Sequence, residues 1–303
     1  MIRILTADGM EAGGIRALED LGYEVVNEHY ELAELNEKIK EFDVITVRSA
    51  TKIREPLIDE ALVTGKLKLI IRGGVGVDNI DVKYAEEKGI AVRNTPNASS
   101  ASVAELAIGH LFTIARHIHS ANVTMRNGEW NKKKYSGIEL AGKTLGLIGF
   151  GRIAREVAIR ANALGMKVIY TNRSGHKPEN EPNKYVALED LYKEADFISL
   201  HMPKLADRPY LIGKEEIEKM KDGVYLVNTA RGGLIDEDAL CDALDSGKVS
   251  AAAIDVFKEE PTKNERIYTH DKISLTPHIG ASTEEAQLRI GEEIVSIIKA
   301  FFA

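Results

Sequence analysis

A guanidinium, several carboxylates and an imidazole recur at the carboxyl ends of apolar segments in the second half of this chain. Arg231 follows VYLVNTA, Asp255 and the pair Glu259-Glu260 follow AAAI, and His278 follows ISLTP. These groups suit one reaction. Taking a hydride from a secondary alcohol requires a base for the hydroxyl proton, the reverse requires an acid, and histidine serves both near neutral pH. A nearby carboxylate raises the imidazole's basicity and fixes its tautomer. An arginine fork binds a substrate carboxylate and polarises the adjacent carbonyl. Each residue alone also has a plain reading: Arg231 as an ion pair, Glu260 as a solvated turn residue, His278 as a loop donor. Three complementary groups at successive strand ends select the chemical reading, because open α/β sheets bind ligands there. His201, which precedes Met202 and Pro203 after DFISL, reads instead as a cap of its strand.

Such chemistry needs a hydride carrier. The stretch Thr144–Ala154, TLGLIGFGRIA, is spaced to hold one. Gly149, Gly151 and Ala154 form G-x-G-x-x-A, the fingerprint of a dinucleotide site. Gly149 permits a sharp turn out of a strand, Gly151 admits a pyrophosphate close to the backbone, and Ala154 lets the next helix pack on the strand. Amides at that helix start then face the phosphate charge. The context agrees: a buried-strand pattern precedes, a helical pattern Arg152–Leu164 follows, and a second strand Lys167–Tyr170 comes next. Gly9, Gly13 and Gly14 also follow a strand, but their spacing reads as a plain turn.

The elements that position these groups alternate in type. In the first third, IRILTAD, YEVVNEH, DVITVRS, LKLIIRGG and IAVRNTP read as strands; Gly13–Leu21, Leu32–Lys40, Pro56–Val63 and Asp81–Lys88 read as helices. Thr95-Pro96 breaks the rhythm. Ser99–His119 then reads as one long apolar helix, with Ser102 and Glu105 at capping-box spacing. Val123–Leu140, carrying the only tryptophan, Trp130, is too long and polar for a simple connection. It reads as a dimerisation arm or a lid. The alternation restarts at Lys143, and Glu284–Phe302 is an amphipathic helix able to return to the first domain. The expected fold is α/β, two Rossmann-like domains with parallel sheets and a cleft between them. Residues 1–96 with 283–303 would form a flavodoxin-like substrate domain, and 97–282 a dinucleotide-binding domain with an arm near 120–140.

Bulk properties narrow the partners. Of 303 residues, 44% are hydrophobic and 29% charged, a globular balance. The net charge of −7 argues against general nucleic-acid binding, and Lys132–Lys134 reads as a solvated face. The single cysteine, Cys241, excludes an intrachain disulfide and fits a reducing, cytoplasmic setting. Met1 leads directly into IRILTAD without a signal-peptide pattern, and no apolar run reaches membrane-spanning length. No metal-ligand cluster is expected.

GFGRIA, NTARGGLIDEDAL, DVFKEEP and PHIGAST, in that order, resemble the D-isomer-specific 2-hydroxyacid dehydrogenases. RSATKI, RGGVGVDNID, NTPNASSASVAEL and GEWNKKKYSGIELAGKTLG extend the resemblance over essentially the whole chain. It implies a catalytic trio carried by Arg231, Glu260 and His278. It implies Arg152 and Ile153 along the cofactor pyrophosphate after Gly149 and Gly151. Met202 and Pro203, Thr229, Ala230 and Arg231, Asp255, and the loop of His278, Gly280 and Ala281 would also serve the cofactor, the later ones at its nicotinamide end. Arg48, Ser49 and the loop Gly74, Val75 and Gly76 would line the substrate cleft, with Arg48 or Arg72 suited to a phosphate on the substrate. The implied activity is oxidation of a phosphorylated 2-hydroxy acid, 3-phospho-D-glycerate, to 3-phosphohydroxypyruvate, the first step of serine biosynthesis. The Trp130 segment would join a homodimer or homotetramer, its lysines reaching the partner's cleft, and Pro96 would lie near a hinge. Because the chain stops at Ala303, feedback through an appended regulatory domain is not expected.

One departure leaves the cofactor open. VIYTNRS places Asn172, Arg173 and Ser174 where an NAD enzyme usually has an acid for the ribose diol. Without that carboxylate a 2′-phosphate is no longer repelled, and Arg173 with Ser174 can bind it. Alternatively Asn172 bonds the diol and Arg173 stacks on adenine. NAD is the first reading and NADP the second. An NADPH-dependent glyoxylate or hydroxypyruvate reductase is the close alternative. A dinucleotide-sensing binding protein is the alternative from another class.

Overall fold

Short β-branched runs in this chain form strands whose side chains are buried on both faces, as parallel sheets covered by helices require. A computed structural model describes residues 1–303. The chain divides into two compact units, Met1–Ser99 with Ala281–Ala303, and Ser100–Gly280.

The first unit holds β1 (Arg3–Thr6), β2 (Glu24–Val26), β3 (Val44–Val47), β4 (Leu69–Arg72) and β5 (Ala91–Asn94). All pairings are parallel and the order is β2-β1-β3-β4-β5, the flavodoxin-like winding. One face is covered by the helices Leu32–Lys38 and Glu55–Leu62, which bury Leu35, Leu57 and Ile58 with Leu5, Ile45 and Ile70. On the other face the final helix Glu284–Phe302 buries Ile290, Ile294 and Ile298 against Ile4, Val44, Leu69 and Ile71. The final helix crosses the helix Ala12–Asp20 at two glycines: a Cβ on Gly14 would meet the Gly291 Cα at 3.2 Å. Gly13 and Gly14 thus lie inside a helix, and Gly9 turns at φ 77°.

The second unit holds β6 (Thr144–Ile148), β7 (Lys167–Thr171), β8 (Lys184–Tyr185), β9 (Phe197–Leu200), β10 (Val224–Asn228), β11 (Val249–Ile254) and β12 (Ile273–Leu275). The order β12-β11-β10-β9-β6-β7-β8 is the Rossmann winding extended by one strand, with its reversal between β6 and β9. The fold is α/β with two parallel sheets. The edge strand β8 is two residues long and half polar, too short to leave a period in the sequence.

Two local expectations are corrected. The single helix Ser99–His119 is two helices, Ser100–Ala115 and Ile118–Arg126. His117 takes a left-handed conformation (φ 54°) between them, and the Ala115 carbonyl accepts from the amide of Ile138 rather than from a next helical turn. The capping box also fails: Ser102 is a buried residue inside the helix, and Glu105 bonds Arg160 at 3.0 Å. Beyond the break, the helix Ile118–Arg126 buries none of its own residues, and Ile118, Val123, Met125 and Trp130 are exposed. No helix is long and apolar enough to cross a membrane.

Candidate active site

The glycine turn lies at the sheet reversal. Gly149 has φ 89°, and a Cβ there would strike the carbonyl of His201 at the end of the neighbouring strand β9. Packing within the protein therefore demands this glycine. Gly151 is different. It precedes the helix Arg152–Ala163 with φ −85°, and a Cβ on it would meet nothing within 4 Å. The chain itself imposes no glycine there, so the open space beside the helix start suits an approaching pyrophosphate. Ala154 is fully buried against the sheet. Arg152 and Ile153 begin the helix.

Two buried polar atoms near the same strand ends have no partner within the protein: Oδ1 of Asn172, just past β7, and Oγ1 of Thr229, just past β10. Buried polar groups are normally paired, so both are matched to a ligand that brings hydroxyl or amide donors. Arg173 and Ser174 beside Asn172 are exposed. These features fit a dinucleotide. Met202 and Pro203 follow β9 directly.

His201 is not a ligand candidate. Its Nε2 pairs with Ser199 Oγ at 2.9 Å, and burial pushes its pKa down to about 4. It stays neutral and supports the strand end.

The trio is assembled from the next three strand ends. After β10, Asn228 closes a turn: its amide donates to the Arg231 carbonyl at 2.9 Å, and its Oδ1 accepts from the Ala230 amide at 3.1 Å. Arg231 is thereby fixed at the turn, with Nη1 donating to the Ala230 carbonyl at 2.6 Å. After β11, Glu260 accepts from the Phe257 amide at 3.0 Å through Oε1 and from His278 Nδ1 at 2.7 Å through Oε2. About a third of each side chain is exposed, 32% for His278 and 36% for Glu260. Burial pushes the Glu260 carboxyl upward. The bonds from His278 and Phe257 and the charges of His278 and Arg231 outweigh that and hold it below the usual range. Glu260 is thus ionised and can only accept, so His278 Nδ1 carries a proton. In the neutral imidazole, Nε2 is left as the free base.

Asp255 does something else. It is buried at the end of β11 and spends its carboxylate on the loop after β12. Oδ1 accepts from Thr276 Oγ1 at 2.6 Å and the Ile279 amide at 2.9 Å, and Oδ2 accepts from the Gly280 amide at 3.0 Å. His278 sits in that loop with φ 54°. Its amide donates to the Asp255 carbonyl at 2.8 Å. No signal in the sequence announced this clamp.

The substrate candidates Arg48, Ser49, Gly74, Val75 and Gly76 all lie in the first unit, at the ends of β3 and β4. The loop Arg48–Thr51 is held from two sides. Asp8 accepts from the amides of Arg48 (2.6 Å) and Thr51 (3.1 Å) and from Thr51 Oγ1 (2.6 Å). Asn79 donates to the carbonyls of Arg48 (2.9 Å) and Thr51 (2.7 Å). Ser49 is exposed at the tip. Arg48 also lines a cavity of about 530 Å³ with Glu11, Ser282, Thr283, Glu284 and Gln287. Arg72 folds back on its own loop: it donates to the Gly73 carbonyl at 3.3 Å, and its guanidinium fills the place a Cβ on Gly74 would take. Of the two candidate cations, Arg48 is the one at an exposed tip. Ala281, expected beside the nicotinamide, begins the second segment of the first unit.

Comparison with known proteins agrees with this chemistry. Residues 108–280 match the family described as D-isomer specific 2-hydroxyacid dehydrogenase, NAD binding domain. Over 280 residues the chain is 54% identical to a hydroxypyruvate reductase of Thermotoga maritima, covering 91% of this chain and 90% of that one. Over 302 residues it is 48% identical to a D-3-phosphoglycerate dehydrogenase of Methanocaldococcus jannaschii, covering 99% of this chain but 57% of that one. The chain thus spans little more than half of that longer relative. Among solved structures, a glyoxylate reductase from Paecilomyes thermophila has a TM-score of 0.90 at 35% identity, over 99% of this chain and 94% of that one.

The chain belongs to the D-isomer specific 2-hydroxyacid dehydrogenases. It is an oxidoreductase with a nicotinamide dinucleotide cofactor, and relatives named phosphoglycerate dehydrogenase and hydroxypyruvate reductase both resemble it over most of its length.

Proposed function

We propose that the protein interconverts 3-phospho-D-glycerate and 3-phosphohydroxypyruvate, with NAD as its cofactor. The observation that carries the reaction class is the 2.7 Å bond between His278 Nδ1 and Glu260, which leaves Nε2 as a base. In oxidation, Arg231 binds the substrate carboxylate and polarises the carbon undergoing change. His278 Nε2 takes the hydroxyl proton, and Glu260 stabilises the imidazolium that forms. Held at the Gly149–Ala154 turn, a bound dinucleotide would supply the hydride acceptor for the substrate's C–H bond. In reduction His278 returns the proton. Arg48, at its clamped loop, pairs with the phosphate. The buried acceptor Oδ1 of Asn172 favours NAD, since an amide oxygen accepts from a ribose hydroxyl but not from a phosphate. Exposed Val123, Met125 and Trp130, with Ile118 just before them, support assembly as a homodimer through the 120–140 segment, with a homotetramer as the larger alternative.

The second reading is an NADPH-dependent hydroxypyruvate or glyoxylate reductase. It is favoured by the 54% identical relative and by Arg173 beside Asn172. Initial rates on phosphohydroxypyruvate, hydroxypyruvate and glyoxylate, each with NADH and NADPH, separate the two. The first reading expects phosphohydroxypyruvate with NADH to give the highest kcat/KM by at least about tenfold, the worth of one charge-assisted hydrogen bond. A higher value for an unphosphorylated acid with NADPH replaces it with the second.

A further inference from the structure

His110 is a buried imidazole, 3% exposed, in the middle of the helix Ser100–Ala115. No step of the proposed reaction uses it. Both its nitrogens are nevertheless engaged: Nδ1 lies 3.2 Å from Ser274 Oγ, and Nε2 lies 3.0 Å from Thr276 Oγ1. Proton bookkeeping gives each bond a direction. The Thr276 hydroxyl has one proton, and ionised Asp255 can only accept it, at 2.6 Å. Thr276 Oγ1 must therefore accept from His110, which makes Nε2 the protonated nitrogen. Nδ1 is then the acceptor, and Ser274 Oγ is its donor. The chain of bonds runs one way, from Ser274 through His110 and Thr276 to the Asp255 charge.

Asp255 is where this chain meets the catalytic loop. The same carboxylate receives the amides of Ile279 and Gly280, and its carbonyl receives the amide of His278. These bonds bracket a histidine with φ 54°, in the left-handed region that residues other than glycine rarely occupy. A loop held in such a conformation depends on its surroundings to stay there. Burial opposes protonation of His110, while Asp255 favours it and His119 opposes it; the net effect is a lowered pKa, so the imidazole stays neutral and keeps its tautomer.

We propose that His110 is a positioning residue for His278: through Thr276 it orients the Asp255 carboxylate that holds the His278–Gly280 loop in its left-handed turn. The proposal rests on His278 being the acid–base group. Thr276 is the link, and its hydroxyl is the one group that both His110 and Asp255 touch. Loosening it disturbs the His278–Glu260 pair and leaves Arg231 and the glycine turn in place, so the effect falls on turnover rather than on binding.

Steady-state kinetics on the whole chain test this, with the fastest 2-oxo acid and dinucleotide from the rate comparison above. His110→Leu and Thr276→Val are each expected to lower kcat by about 10–100-fold, as outer-shell losses do, with KM for the 2-oxo acid within about threefold. The conservative variants His110→Gln and Thr276→Ser, which keep a donor or hydroxyl, are expected to recover kcat to within about threefold. The double variant His110→Leu with Thr276→Val is expected to be no slower than the worse single, because both break one chain. A kcat for Thr276→Val within about twofold of the parent overturns the proposal, as does equal loss in the Leu and Gln variants of His110. If His110→Leu does not fold, the nearly isosteric Thr276→Val decides alone. His278→Ala is run beside them: full activity there refutes the acid–base reading, whereas its inactivity with an unaffected Thr276→Val refutes only the positioning role.

Discussion

The two units solve the same backbone problem and apply it to different chemistry. In the first, a buried carboxylate just past β1, Asp8, receives two amides and a threonine hydroxyl from the loop after the neighbouring strand β3. In the second, a buried carboxylate just past β11, Asp255, receives two amides and a threonine hydroxyl from the loop after the neighbouring strand β12. Each clamp turns a flexible strand-end loop into a fixed platform, because several charge-assisted bonds to one buried carboxylate are strong. The loops then differ in what they present. Asp8 holds a tip with a cation and a hydroxyl, Arg48 and Ser49, suited to gripping an acid. Asp255 holds an imidazole with a carboxylate partner, suited to moving a proton. The second clamp is also backed by His110 through its threonine. Under the proposed function the extra support falls on the loop whose group must meet the stricter positional demand, that of proton transfer.

This contrast can be broken most severely at the histidine. His278→Ala is expected to lower turnover by about 10²–10⁴-fold, the worth of general acid–base catalysis, with dinucleotide affinity by fluorescence titration unchanged. The clamps themselves give the next largest effects, and of different kinds. Asp255→Asn leaves a buried amide without its acceptor and is expected to cut kcat by about 10–100-fold. Asp8→Asn should leave kcat within about threefold and raise KM for a phosphorylated acid by about tenfold, the worth of one weakened charge-assisted bond. Equal kinetic signatures for the two would erase the distinction between gripping and proton transfer.

The smallest effect concerns pH. Burial lowers the pKa of three histidines, His110, His119 and His201, and all three belong to the second unit. For His201 the folded value is about 4 against an ordinary 6.5. Between those values the unfolded chain binds a proton that the folded chain refuses. The stabilisation is therefore complete above pH 6.5 and is lost as pH falls toward 4. His201→Gln is expected to reduce that acid-induced loss by about 1–3 kcal/mol, measured as denaturant midpoints at pH 7 and 4.5. Hydrogen exchange at pH 5 should show the second unit opening before the first; the reverse order would place the acid-sensitive groups elsewhere.

Much of this molecule is legible from local chemistry. The strands announce themselves as β-branched runs, and the helix starting at Arg152 and the final helix Glu284–Phe302 announce themselves by apolar spacing. Gly149 and Gly151 can be read because turn and close approach are short-range demands. Arg231, Glu260 and His278 can be read because parallel sheets expose strand ends in a predictable place. Where the structure departs from that local reading, the cause lies far along the chain. Ser102 with Glu105 had the spacing of a cap but lay inside a helix, since Glu105 was claimed by Arg160, 55 residues away. The break at His117 was hidden because nothing in Arg116-His117 resembles a helix terminator; the carbonyl of Ala115 had been taken by Ile138.

What the linear chain specified on its own was the winding of alternating strands and helices, the glycine turn, and the residue types of the site. What required the folded structure was the set of long-range bonds that hold those residues still. Asp8 meets Thr51 from 43 positions away, and His110 meets Thr276 from 166. Such bonds leave no period or motif behind. They depend on which side chains burial brings together and on which partner has a proton to give, and both are decided only when the sheets are wound.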